Sequence, residues 1–200
     1  MEELIYNGFH GTSRENARKI VGAQSFIPGE DKDNEDFLGK GVYFFKENSH
    51  AVLWNLKKAK DNGYRNVKYK DYVLHYAVLE AEIKCSKKNL LDLEDINDIV
   101  KYDKICKKFQ KEFENDEEYI EAEHKERAII NYFYKKKYMD GIFVIRKIKT
   151  QKIDSLDLNV VNKLNREILC VKESKIINNI NIIKDIDKDT YNNIRYISFY

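Results

Sequence analysis

The sequence predicts an α+β fold in a single domain, 1–200. Three observations carry this expectation. The 200 residues suffice for one hydrophobic core and are short for two. Strand-like apolar stretches lie toward both ends, separated by a charged helical block at about 92–137. No strand–helix alternation runs the full length, which argues against a doubly wound parallel sheet. Apolar residues at 42% and charged residues at 35% describe a core under a well-solvated surface. The formal charge of +2 sets up no global field of the kind that marks a nucleic-acid or membrane binder. No run of about 18 apolar residues predicts a membrane span. The stretch "MEELIYNGFHG" has neither the basic nor the apolar part of a signal peptide, so a cytoplasmic location and no membrane partner are expected. Cys85, Cys106 and Cys170 are odd in number, far apart and fit no metal spacing. They read as free thiols in a reducing compartment.

The elements follow in order. "LIYNGFHG" reads as a short strand ending at a turn, and "TSRENARKIV" as a helix. Thr12 and Glu15 make a capping-box pair there, with Ala17, Ile20 and Val21 along one face. Residues 22–36 are polar and acidic and read as a surface loop. "GVYFF" is a strand. "NSHAVLWNLKKAKDN" is a helix capped by Asn48 or Ser49, with Ala51, Trp54 and Lys58 on one face. "YVLHYAVLEAEIK" alternates as a strand does. After the charged helices, "YMDGIFVIR" turns at Asp140-Gly141 into a strand, "REILCVK" is a short strand, and "IINNINII" another. The core is expected over about 4–177, with 178–200 a final strand or a docked tail.

Glycine is scarce, eight in all, and it clusters at Gly8–Gly11 and Gly39–Gly41. Scarce glycine that clusters points to a backbone requirement. The two clusters open two motifs, "FHGT" and "LGKGVYFF". Neither is specific alone. The second is not a dinucleotide fingerprint, because its glycines lead into a strand and not a helix.

Taken together, and with "SHAVLWN" after them, they resemble the diphtheria-toxin-like, H-Y-E type ADP-ribosyltransferases, the branch that includes the poly(ADP-ribose) polymerases, in a small bacterial-type form. That family carries His-Gly-Ser/Thr on one strand, Gly-Lys-Gly-Ile-Tyr-Phe on the next and an acidic residue opening a late strand. His10-Gly11-Thr12 and Gly39-Lys40-Gly41-Val42-Tyr43-Phe44 match the first two, and Glu167 in "NREILCVKESKII" supplies the third. Trp54 falls where the family keeps a second aromatic. Ala51 stands where it often has a serine, with Ser49 nearby. The likeness spans roughly 6–177 and is more specific in its first half.

The resemblance implies two packed antiparallel or mixed sheets with a few helices and a helical insertion at 92–137. It implies NAD as substrate, no metal, and cleavage of the nicotinamide–ribose bond through an oxocarbenium-like state. Glu167 would stabilise that charge. Tyr43 and Trp54 would stack on nicotinamide, and Gly11 would meet the carboxamide. His10 would hold the adenosine-side ribose, with Thr12, Gly41 and Ser49 completing the cofactor contacts. Gly39 and Gly41 would shape the turn before Tyr43 and leave room for the dinucleotide. Single additions to a macromolecular acceptor, protein or nucleic acid, are expected. A toxin or defence role with a cognate antitoxin or immunity protein is the family-level analogy. The alternative is an inactive module of the same fold that binds NAD or ADP-ribose or docks a partner. A transferase acting on RNA 2′-phosphate would need an arginine-rich site set that the sequence does not show.

Other patterns read as ordinary structure. Glu80-Ala81-Glu82 is a strand edge facing solvent. Glu121, Glu123 and His124 belong to a solvated helix, and the lysines at 135–137 to a solvated surface. Residues 30–36, acidic, are placed where they would gate the cofactor or shape the acceptor site.

Overall fold

The structure is a computed structural model, which describes residues 2–26, 37–64, 66–122, 124–152, 163–183 and 186–199. Its strands are β1 (Glu3–Ser13), β2 (Val42–Phe45), β3 (Tyr76–Ser86), β4 (Leu90–Asp92), β5 (Val144–Lys152), β6 (Lys163–Val171) and β7 (Ile177–Ile182). They form one sheet in the order β4-β5-β6-β2-β1-β3-β7. All neighbours are antiparallel except β4 and β5. The α+β class therefore stands. Two packed sheets were expected, but the strands form one hydrogen-bonded series. Its weak point is its middle. β1 and β3 are partnered over eleven residues, from Glu3↔Ser86 to Ser13↔Tyr76, whereas β1 and β2 share the single pair Phe9↔Phe45.

The helices are α1 (Arg14–Ala23), α2 (Asn48–Asp61), α3 (Tyr69–His75), α4 (Ile96–Phe113), α5 (Glu117–Glu121), α6 (Lys125–Lys135) and α7 (Lys188–Phe199). Alternation along β3 shows why the sheet is sandwiched. Leu79, Ala81 and Ile83 go to one core with Ala17 of α1 and Phe44, while Val78 goes to another with Val52, Leu56 and Ala59 of α2. A third cluster joins Ile145 and Cys170 of the sheet to Phe113, Ile130 and Phe133 of the helical block. Each fully buried Leu, Ile or Phe contributes on the order of 1.5–3 kcal/mol relative to exposure.

Several elements differ from the sequence reading. β1 does not turn at His10-Gly11 but runs straight to Ser13, and α1 begins at Arg14. The N-cap is Ser13, whose Oγ accepts from Asn16 N at 3.2 Å, one residue past the expected Thr12. The cap position of α2 is Glu47, without a side-chain cap bond, and not Asn48 or Ser49. Residues 69–75 are helical. Tyr69, Tyr72, Val73 and Tyr76 all pack in one cluster, a spacing of three and four that the strand reading passed over. The chain's end is a docked helix. Tyr191 is fully buried against α2's cluster, and its hydroxyl donates to Val67 O at 2.8 Å. The Asp140-Gly141 turn is as expected, with Gly141 at φ +88°. Within the expected loop 22–36, residues 27–36 lie outside the described residues, as do Glu123 and the stretch 153–162. Among the described residues no helix is long and apolar enough to cross a membrane.

Candidate active site

The three strands that carry the motifs are neighbours at the middle of the sheet. β2, with Tyr43, lies between β1, with His10, and β6, with Glu167. The chain separates these residues widely, so this adjacency is a tertiary result. At the seam where β1 and β2 part, His10 replaces a backbone ladder bond. Its Nδ1 is 2.8 Å from Tyr43 O. A carbonyl only accepts, so Nδ1–H donates and Nε2 is left as the acceptor nitrogen. The imidazole packs edge-on to Phe26 at 5.1 Å and beside Phe44 at 5.9 Å. Burial pushes its pKa down, partly offset by the bond to Tyr43.

The glycine loop before β2 is tied down from three sides. Gly39 has φ +74°, a conformation that disfavours a side chain. Tyr43 Oη donates to Gly39 O at 2.7 Å and accepts from Leu38 N at 2.9 Å, so the tyrosine closes its own loop. Lys40 N donates to Asn131 Oδ1 at 2.9 Å. Lys172 Nζ donates to Leu38 O and Lys40 O, both at 2.6 Å. A Cβ on Gly41 would meet Cys170 Sγ at 2.6 Å and Val171 O at 2.9 Å, so the room its missing side chain leaves is filled by β6. Tyr43→Phe removes two hydrogen bonds at this loop and is expected to cost about 1–3 kcal/mol. Chemical denaturation reads this as a lower midpoint at unchanged slope; an unchanged midpoint would contradict the hydrogen-bonded loop.

Gly11 is buried on the face of β1 opposite His10. A Cβ there would run into Ala51 O and Asn55 Oδ1 of α2. Ala51 is itself fully buried. The position where the resembled family often has a serine is therefore packed against Gly11. Trp54 flanks this contact without joining the inward face, which is made by Ala51, Val52, Asn55, Leu56 and Ala59. Its ring lies 6.2 Å from Phe45, with Lys58 Nζ 5.0 Å above it. Ser49 is half-buried in the first turn of the same helix, and Thr12 half-buried beside Gly11.

Glu167 was expected to open its strand but lies at the middle of β6, which begins at Lys163, and there it sits in a network of ions. Arg146 Nε donates to Glu167 Oε1 at 2.8 Å, and Arg146 Nη1 reaches both Asp92 oxygens at 3.0 and 2.8 Å. Lys46 Nζ lies 3.3 Å from Glu167 Oε2. Burial alone would raise the pKa of Glu167, but Arg146 and then Lys46 outweigh it and hold it below the usual carboxylate value. Strand alternation assigns the faces. Glu167 shares its face with Leu169, Val171 and Phe44, and thus with His10, across two strand spacings, about 10 Å. Tyr43, Gly11 and Trp54 belong to the α2 face. The sheet thus brings the three strands together and divides their side chains between its faces at the β1–β2 seam.

Folded-state pKa values are depressed for both His10 and Glu167, so both contribute stability above their unfolded pKa values and lose it as pH falls through the folded ones. The melting temperature is expected to be flat near neutrality, to fall once pH drops below about 6.5, the ordinary histidine value, and to fall again below about 4.3, the ordinary glutamate value. A melting temperature that rises on acidification would contradict this.

Arg146, Asp92, Lys46, Asn131 and Lys172 escaped the sequence reading. For Arg146 a signal exists: it interrupts the apolar alternation Val144, Ile148 on β5, and a charge at such a position needs a partner. Glu80-Ala81-Glu82 was expected at a strand edge facing solvent but lies on β3, an interior strand paired with β1 and β7, with both glutamates half-buried and Glu82 bonded to Lys84 at 2.8 Å. His50 is buried and edge-on to Phe45 at 6.2 Å. The acidic stretch 30–36 lies outside the described residues, while Phe26 before it touches His10 and Phe37 after it lies 6.2 Å from Tyr43.

No protein-family model matches the chain, and no solved structure does. Among curated proteins the chain is similar to an uncharacterized protein of Methanocaldococcus jannaschii, 28% identical over 200 residues that cover 90% of this chain and 89% of that one.

Proposed function

We propose that the chain is an NAD-dependent ADP-ribosyltransferase that cleaves the nicotinamide–ribose bond and passes single ADP-ribose groups to a macromolecular acceptor. The observation that carries this reading is the adjacency of β1, β2 and β6, with the His10 ring bonded to the Tyr43 carbonyl across the seam between the first two. In the reaction the C–N bond breaks and its electron pair returns to the nicotinamide ring nitrogen, cancelling that ring's positive charge. Positive charge is left on the ribose. Glu167, kept ionised by Arg146 and Lys46, stands as the carboxylate for that charge. His10 Nε2 can accept a ribose hydroxyl, because Nδ1 is committed to Tyr43 O. An acceptor lone pair then closes on the ribose carbon, and the acceptor's proton leaves. Arg146 and Asp92 are positioning residues that fix the carboxylate. The proposal is tested by nicotinamide release from NAD, in the wild type and in Glu167→Gln.

One observation favours the second reading, a module that binds NAD or ADP-ribose without turnover. The Glu167 carboxylate is engaged by two cations and shares the face of His10, not that of Tyr43. Saturable NAD binding with no nicotinamide released would select it.

A further inference from the structure

Beyond the end of β1 lies a cavity of ≈ 920 Å³ that the candidate active site does not use. It starts at Ser13, three residues past His10 on the same strand, about 10 Å along it at the rise of an extended chain. Its chemistry differs from that of an apolar pocket. Arg14 and Arg18 line it from one side of α1, four residues apart and thus on one helix face. Tyr64, Tyr76, Asn62 and Asn66 line it too, Tyr76 from β3, where it is the partner of Ser13. Tyr76 is backed by Tyr72, ring to ring at 5.7 Å and 20°. That support fixes one aromatic face. Tyr64 is 66% exposed and Leu74 65%, so the cavity is open to solvent. Glu15 and Asp71 also line it; Glu15 is paired with Lys19 at 2.6 Å, which leaves Asp71 as the carboxylate set against the two arginines.

We propose that this groove binds single-stranded nucleic acid and presents it to the seam between β1 and β2, so that the acceptor is a nucleic-acid strand. This rests on the transferase reading for its purpose, but the binding does not depend on it. The two guanidinium groups on α1 suit phosphates, which they hold through paired N–H donors without reading sequence. The exposed ring of Tyr64 suits a base, which stacks in a sequence-tolerant way, and the half-buried Tyr76 lies beside it in the lining. The Asn62 carboxamide suits a base edge, while that of Asn66 accepts from Arg195 at 3.4 Å. A duplex would bury its base faces against itself and leave the tyrosines unused. The nearly balanced overall charge of +2 means that the groove, and not a global field, has to supply the attraction.

The test is fluorescence anisotropy of a labelled mixed-sequence 12-nucleotide RNA and its DNA counterpart with the full chain, without NAD, in wild type, Tyr64→Ala and Arg18→Ala. Nicotinamide release from NAD alone is measured beside it. Binding to single strands is expected, weaker for the matched duplex. Tyr64→Ala should weaken it about tenfold, the effect of one lost stacking face. Arg18→Ala should weaken it and lower the slope of log affinity against log salt by about one. Both variants should release nicotinamide as the wild type does, since neither residue belongs to the catalytic machinery. Single-strand binding that both variants leave unchanged would overturn the groove, as would no binding at all. Loss of NAD affinity in Tyr64→Ala with nucleic-acid binding intact would also overturn it, and would give the groove to the adenosine end of the dinucleotide. If the variants lose nucleic acid while no protein releases nicotinamide, the groove stands and the transferase reading falls. If nicotinamide is released and no strand binds, the reverse holds.

Discussion

Glu167→Gln is expected to lower the rate of nicotinamide release from NAD by two to three orders of magnitude. The substitution keeps the size of the side chain and one oxygen for Arg146 Nε, and removes the negative charge. Loss of a preorganised group aimed at transition-state charge typically costs about 2.7–4 kcal/mol. A carboxylate largely shielded from water, at 17% side-chain exposure, is in the range where that stabilisation is large. Arg146 keeps its two bonds to Asp92, so the network is expected to survive in part and the fold with it. The split between constants is the informative readout. kcat should fall and KM should change little, because the charge develops only in the transition state. Steady-state kinetics with circular dichroism on the same sample check both halves. A kcat within about threefold of wild type would remove Glu167 from the mechanism.

Gly11→Ala is expected to destabilise the chain by about 2–3 kcal/mol, as overpacking of a tight core does. The atoms that a Cβ would meet cannot move cheaply. One is the backbone carbonyl of Ala51, in the buried turn of α2. The other is Asn55 Oδ1, on a side chain held by Nδ2 bonds to Tyr72 Oη at 3.1 Å and Ala77 O at 3.0 Å. For a chain of this length the melting temperature should drop by about 4–12 °C. Gly22→Ala is the control. Gly22 lies within α1 with open space where a Cβ would go, so the same change should stabilise by roughly 0.5–1 kcal/mol. Equal effects at the two positions would contradict the close approach of α2 to β1. The prediction separates two reasons for a glycine in "HGT": packing of the helix on the strand, which stability measures, and a backbone contact to ligand, which NAD affinity measures.

Local patterns carried much of the architecture. Val42–Phe45, Tyr76–Ser86 and Val144–Lys152 were legible because each alternates or opens from a glycine turn. The helical block was legible from its charge and period. What escaped depended on partners distant in sequence. Tyr69–His75 carries both a strand-like apolar run and a three-and-four spacing, and only docking against α2 and α7 decides between them. The helix at 188–199 is polar in sequence, and burial of Tyr191 and Ile194 gives it its place. The site divides in the same way. That His10, Tyr43 and Glu167 lie on strands was legible, and so was the need for glycine at 39, where φ is positive. The face of Glu167 was not, because it is set by the register Tyr43↔Cys170 and Phe45↔Ile168. Slipping that register by one residue would move Glu167 to the side of Tyr43. Nor was the reason for Gly41, which is the thiol of Cys170.

The measurement that bears most directly on the account is free nicotinamide produced from NAD by the purified chain, followed chromatographically with and without single-stranded RNA or DNA present. The account predicts nicotinamide release that rises with enzyme concentration, falls by two to three orders of magnitude in Glu167→Gln, and is matched by ADP-ribose gained on an acceptor. NAD that binds and stays intact, with the wild type and the variant indistinguishable, would contradict it.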